Sequence, residues 1–395
     1  MLIGVSILLL TSFGFFLSSK DQKKYYLVIA VFFALLLALY NPPISDDLYR
    51  YYNMFDIIKE KSFLDCINLN FNISDWYYNY VINDMMQNSR VFMLIMFIIS
   101  RTGIKQLLPI FCCLCTYIPL ICLVDKIGKK GEYNNIATNI GYVIIFCTVD
   151  YRFVSCLRNL MAYAIFCLIL YLDFNEVNKK KRILYFFIYL VLCEIHMSCA
   201  ILFALRIVVL IFKDRFKVII SSALLLLNVF INIIIGLMEK YLSFIPYVAR
   251  LAKRASDYYL GRTNYNINGA IFFVTCILIV IFVILLSGGK NNHKDRGEYK
   301  IDGGFEKTYI MYIICFTLGS ITQYDVLVRN TSLISMLSIP CIMLFYNNCV
   351  HREGIHIYLK RVKNSALLFI TSLILVYGSL LFYTLFSYVP MQYGF

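Results

Sequence analysis

Apolar runs separated by short polar interruptions recur from one end of the chain to the other. "FFALLLALY", "SSALLLLNVFINIIIGL", "AIFFVTCILIVIFVILL" and "NSALLFITSLILVYGSLLF" are typical, and each approaches the ~20 residues an α-helix needs to cross the bilayer hydrocarbon. They lack the alternation over ~10-residue segments that marks the strands of a membrane barrel. The pattern therefore predicts an all-α, polytopic integral membrane protein, with residues 1–395 forming a single transmembrane domain. About twelve transmembrane helices are expected, near 2–18, 25–40, 107–124, 136–149, 159–174, 183–195, 199–212, 218–238, 269–287, 308–321, 331–347 and 365–386.

Composition fits this reading: 61% of residues are hydrophobic and 15% charged, against about 25% charged in soluble domains. The net charge of +14 does not imply nucleic acid, because the bases fall in short interhelical stretches. These are 20–24, 126–132, 178–182, 213–217, 290–307 and 351–363. Basic loops collect on the cytoplasmic side of a membrane, so requiring all six to share it puts both termini outside. The N-terminal run reads as a first span rather than a cleaved signal, since no basic region precedes it. The same parity treats "VFMLIMFIIS", 91–100, as a re-entrant or interfacial segment: a crossing there would put the lysines of 126–132 outside, and ten apolar residues are too few. Two large outward loops remain, 41–90 and 239–268. The second is basic on the side where bases are scarce, which suggests an anionic ligand, either substrate or lipid headgroup.

Residues 183–212 read as a hairpin bounded by basic clusters, with arms of about 22 Å, too short for a ~30 Å hydrocarbon core. The tip carries "EIHMS", so Glu194 and His196 would sit below the outer surface. Ionisable groups at that depth are costly, which points to function, although Glu194 pairing with a nearby arginine stays open. Three further polar groups fall on the same side: Asp46, Asp47, Tyr49, Arg50 and Tyr51; Arg152 and Arg158; and Tyr324 and Arg329. Arg158 could instead snorkel to the interface, and Arg206 is read that way. The aromatic-rich 41–90 loop serves equally as a sugar platform or an interfacial belt. The 14 cysteines lie mostly in apolar runs, and "CCLC" at 112–115 lacks paired zinc spacing, so no metal site is expected.

Arg158-Asn159-Leu160-Met161-Ala162 opening a span, followed at the next outward tip by His196-Met197-Ser198, resembles the EpsG/Wzy group of polysaccharide polymerases. That group carries an early outward D-Y-x-x-Y-x-x-x-F, then R-Q-x-x-A, then H-x-S, and a late arginine, here Arg329. The likeness runs over roughly 40–210 and departs from the pattern at Leu48, where a tyrosine usually stands, and at Asn159 in place of glutamine. The resemblance implies a glycosyltransferase at the periplasmic face of a bacterial inner membrane. Its substrates would be oligosaccharide repeat units on undecaprenyl diphosphate, and its companions a flippase and a chain-length co-polymerase. Asp46-Asp47 could be a solvated loop or a metal site, but with no D-x-D spacing and no clustered partners, metal-independent catalysis without a cofactor is expected. On that chemistry Arg158 and Arg329, with Arg152, Arg250 and Arg254, are candidates for the diphosphate, and His196 or Asp47 for the proton acceptor. Asp46, Tyr49, Arg50, Tyr51, Glu194 and Tyr324 would line the substrate. A lipid-linked oligosaccharide flippase and an O-antigen ligase remain rival readings.

Overall fold

The computed structural model describes residues 10–42 (except 12), 46–68, 89–148 (except 132 and 134), 157–212, 216–245, 248–249, 252, 256, 271, 273–278, 280–281, 284, 307–321 and 323–351. Among them the chain is helical and contains no strand. In chain order the helices are α1 (Ser19–Ala38), α2 (Asp47–Lys59), α3 (Phe63–Asn68), α4 (Arg90–Ser100), α5 (Leu107–Lys130) and α6 (Asn135–Thr148). They continue with α7 (Leu157–Phe174), α8 (Lys179–Ile195), α9 (Ser198–Phe212), α10 (Lys217–Tyr241), α11 (Lys307–Gly319) and α12 (Tyr324–His351). The expected span at 365–386 lies outside the described residues, and those at 2–18 and 269–287 are described only in part.

Among the described residues three helices are long and apolar enough to cross a membrane, Leu107–Lys130, Leu157–Phe174 and Val326–Asn347. Five more are apolar but shorter: Arg90–Ser100, Asn135–Phe146, Ser198–Phe212, Lys217–Leu227 and Lys307–Gly319. Helices α5 and α7 pack side by side at the centre, with α1 and α6 against α5, α12 against α6 and α7, and the α8–α9 hairpin against α7. The outermost faces stay apolar. Val28, Val31, Phe32 and Leu35 of α1 are spaced to share one helix face and are all exposed, as are Ile183, Leu184, Phe187 and Leu190 of α8. Contiguous exposed apolar faces of this kind are disfavoured in water and suit a lipid surround.

Helix directions follow from contacts at the two ends. At one end Lys23 of α1 pairs with Asp125 of α5 at 2.9 Å, Asp125 also pairs with Lys129 at 3.0 Å, and Gln22 donates to the Asn135 carbonyl at 3.1 Å. Lys130 donates to Asn175 at the same end. At the other end Cys112 of α5 lies within electrostatic reach of Arg158 of α7. Hence α5 and α7 run parallel and in register, while α1 and α6 run the opposite way. The Tyr309 ring at the start of α11 stands 6.4 Å from Phe174 at the lysine end, and α12 begins shortly after α11 finishes at the other end, so α12 is parallel to α5 as well. A Cβ on Gly141 of α6 would touch both Met343 of α12 and Val124 of α5, which sets their common level. The lysines that begin α1 and α8 and finish α5 therefore gather at one end, and the starts of α5, α7 and α12 at the other. The α10–α11 contact is close: a Cβ at Gly319 would run into the backbone carbonyl of Leu224, which cannot retreat as a side chain can. We expect Gly319→Ala to lower stability by about 1–3 kcal/mol, visible as a lower unfolding midpoint of the detergent-solubilised protein.

Candidate active site

Arg158 occupies the first turn of α7, where a span packed on all sides leaves the residue only 8% exposed. Its Nη1 donates to Ser89 Oγ at 2.8 Å, just before α4. The guanidinium carbon stands 5.5 Å from the ring centroids of both Tyr51 of α2 and Phe92 of α4, which are 5.3 Å from each other. Tyr51 also hydrogen-bonds Arg158 through its side chain. Two helices from the connection between spans thus close over the cation. The 41–90 segment, read above as a loop, contains α2, whose Leu48, Tyr51, Met54, Phe55 and Ile58 recur at helical spacing and are buried. Arg101 ties the assembly shut by donating to the carbonyls of Lys59 and Lys61. Helix α4, the segment expected to be re-entrant or interfacial, has 11 residues, about 16 Å, and both its ends lie near the start of α5.

Beside this box Asp46 accepts a hydrogen bond from Tyr40 at 2.6 Å, and Arg50 pairs with Asp47 at 3.5 Å, one turn along α2. Burial holds the Asp46 carboxyl above the usual carboxylate range, with the Tyr40 hydrogen bond pulling the other way. Tyr49 is half-buried on the same helix.

The hairpin tip is a side-chain cap. His196 ends α8 in an extended backbone, φ −150° and ψ 125°, and its Nδ1 accepts from the Ser198 backbone N–H at 3.2 Å. Ser198 Oγ lies 2.6 Å from the same nitrogen. With Nδ1 accepting, the neutral ring carries its proton on Nε2, and Ser198 Oγ–H points at Nδ1. Glu194 Oε2 is buried without a hydrogen-bond partner among the described residues. The depth of the tip can be read along α7. The Tyr189 hydroxyl reaches Asp173 at 3.3 Å, and its ring centroid lies 4.8 Å from that of Phe166 in a tilted arrangement. His196 lies seven residues further along α8, and Arg158 eight to fifteen residues further along α7, so the imidazole sits roughly 2–12 Å deeper than the guanidinium.

Arg329 is half-buried in the second turn of α12. Met343 stands fourteen residues beyond it and Val124 twelve beyond Cys112, so the Gly141 contact places Arg329 within about one turn of the level of Arg158 on an adjacent helix. Tyr324 is the first residue of α12. Arg152, Arg250 and Arg254 lie outside the described residues. The structure therefore joins Arg158 to Tyr51 directly and gathers Asp46, Asp47, Arg50, Glu194, His196 and Arg329 at the same end of the bundle. Sequence reasoning missed Ser89 and Phe92, which have no local mark beyond standing at the head of an apolar run.

One reading is corrected. Arg206 does not snorkel: its side chain is 3% exposed and its Nε donates to Asp173 Oδ2 at 2.8 Å. Among the described residues no three His, Cys, Asp or Glu side chains cluster as metal ligands. Compared with protein-family models, with curated proteins and with solved structures, the chain finds no match.

The site offers a desolvated guanidinium held against two aromatic rings, a half-buried second one, Arg329, at a similar level, and a recessed imidazole. A planar cation fixed in this way, in a medium of low dielectric, suits an oxyanion such as phosphate.

Proposed function

We propose that this protein is an integral inner-membrane glycosyltransferase that polymerises undecaprenyl-diphosphate-linked oligosaccharide repeat units into a surface polysaccharide. In this reading the chain crosses about twelve times, the lysine-rich end faces the cytoplasm, and the Arg158 end faces the periplasm. A hydroxyl of one repeat unit attacks the anomeric carbon at the lipid end of the growing chain. The C–O bond to the diphosphate breaks, undecaprenyl diphosphate leaves with the electron pair, and the hydroxyl proton passes to the protein. Arg158 and Arg329 offset the charge growing on the diphosphate, as Arg152, Arg250 and Arg254 also would. His196 accepts the proton, with Asp47 the alternative. Asp46, Tyr49, Arg50, Tyr51, Glu194 and Tyr324 meet the sugars. The diphosphate is its own leaving group, so the reaction as written calls for no cofactor.

The observation that carries this reading is Arg158: an 8%-exposed cation on a membrane-length helix, held by Ser89, Tyr51 and Phe92 at the end of the bundle away from the lysines. Such a group is too costly to keep in an apolar chain as an interface anchor alone. The test is deletion in the native host with gel analysis of surface polysaccharide. Loss of the ladder, with single units still presented outward, is expected. Units held on the cytoplasmic side would indicate a flippase instead, and loss of all attachment a ligase.

A further inference from the structure

Away from the proposed site, one carboxylate joins three helices. Asp173, in the last turn of α7, is fully buried. Its Oδ2 receives Arg206 Nε of α9 at 2.8 Å and the Tyr189 hydroxyl of α8 at 3.3 Å. Arg182 Nε of α8 comes to 4.0 Å from Oδ1. The Arg206 guanidinium also lies 4.0 Å over the Phe174 ring, so its charge is held on both its edge and its face. Nothing in the proposed reaction uses these groups.

A buried ion pair is a poor device for stability, because desolvating two charges offsets most of their attraction and an apolar pair of like volume often does as well. What such a pair supplies is selection of one register among several. The α8–α9 hairpin needs that selection. Its outward faces are apolar (Ile183, Leu184, Phe187 and Leu190 on one arm, Ile207, Leu210 and Ile211 on the other), and lipid tails are as good a partner for them one turn higher or lower. Its arms are only 17 and 15 residues long, so neither reaches an interface at both ends to fix its depth. A slide of one turn would move the tip about 5 Å, enough to remove His196 from reach of any group near Arg158.

We propose that Asp173, with Arg206 and Tyr189, is a positioning lock that sets the depth of the hairpin tip and thereby places His196 and Ser198. The three act through the hairpin and do not touch substrate. The functional half of this inference rests on the polymerase reading above; the positional half does not.

The experiment uses the full chain in a host lacking its own copy. Three variants are compared: Asp173→Leu with Arg206→Met, which removes the lock without stranding a buried charge, since Arg182 is exposed enough to turn to water; Asp173→Arg with Arg206→Asp, which reverses it; and Tyr189→Phe, which keeps the ring packing. Two readouts are taken at matched membrane levels, the surface glycan ladder and the rate at which diethyl pyrocarbonate modifies His196 in the purified protein, followed by peptide mass spectrometry. We expect the apolar pair to accumulate in the membrane, to change the His196 rate by about threefold or more, and to shorten the ladder, with Tyr189→Phe shifting both in the same direction by less. The reversed pair should restore both readouts, which a merely structural role would already allow in the apolar pair. An unchanged His196 rate in the apolar pair and in Tyr189→Phe overturns the lock, whatever the ladder does. A changed rate with a full-length ladder upholds the lock and overturns the polymerase assignment of the tip.

Discussion

Arg158→Ala is expected to leave the protein in the membrane and to yield surface glycan carrying a single repeat per anchor. Removing one preorganised donor that meets charge as it develops costs about 10²–10³ in rate, or ~2.7–4 kcal/mol of barrier. Two features put Arg158 at or above that range. The cation is already desolvated before substrate arrives, so little reorganisation remains, and the Tyr51 and Phe92 rings fix its plane. Arg158→Lys should recover little, because a compact ammonium does not reproduce the planar fork that meets Ser89 and Tyr51 and suits an oxyanion bidentately. The truncation also strips Ser89 of its partner, a loss of about 1–3 kcal/mol in stability, so immunoblots of membrane fractions belong beside every gel. Normal ladders from both variants would remove Arg158 from the reaction.

The second large effect is expected at the hairpin tip. His196→Ala should cut polymerisation by about 10²–10⁴, the usual range for a positioned proton acceptor. The tautomer sharpens this expectation. Because Nδ1 takes the Ser198 backbone N–H and faces Ser198 Oγ, the basic nitrogen of the neutral ring is turned toward the serine. A sugar hydroxyl would then pass its proton to Ser198 Oγ as that oxygen gives its own to Nδ1. Ser198→Ala should consequently lose part of the rate while leaving the hairpin cap intact, since the backbone N–H remains. Measured as repeats added per unit time in membranes supplied with lipid-linked units, the expected order is native, then Ser198→Ala, then His196→Ala. Equal rates for His196→Ala and the native protein would shift the proton to Asp47.

Much of the scaffold was legible from the chain because it is local. The break between α8 and α9 shows as "EIHMS" inside an apolar run, and the register of α2 shows as apolar residues at 48, 51, 54, 55 and 58, even though the segment reads as a loop when only spans are sought. The lysine clusters mark helix ends because a bilayer rejects bases that face its acyl chains. The contacts that build the site are different in kind. Ser89 meets Arg158 across 69 positions, and Asp173 meets Arg206 across 33, with no periodicity linking them. Arg206 near the end of an apolar run looks the same whether it turns outward to headgroups or inward to a carboxylate. Only the packing of α9 on α7 decides, and no pattern in either helix announces it.

The shortness of α8 and α9 also has a consequence for the lipids around them. Beside α5, with 24 residues, a bilayer keeps its full width, whereas the hairpin arms, at about 22–26 Å, fall several ångströms short of it. Acyl chains next to the hairpin must shorten or splay to keep the apolar rim covered, at a cost of a fraction of a kcal/mol per ångström. The protein should therefore carry a thinned, loosely ordered annulus on one flank, and membranes built from short-chain lipids should solvate that flank best.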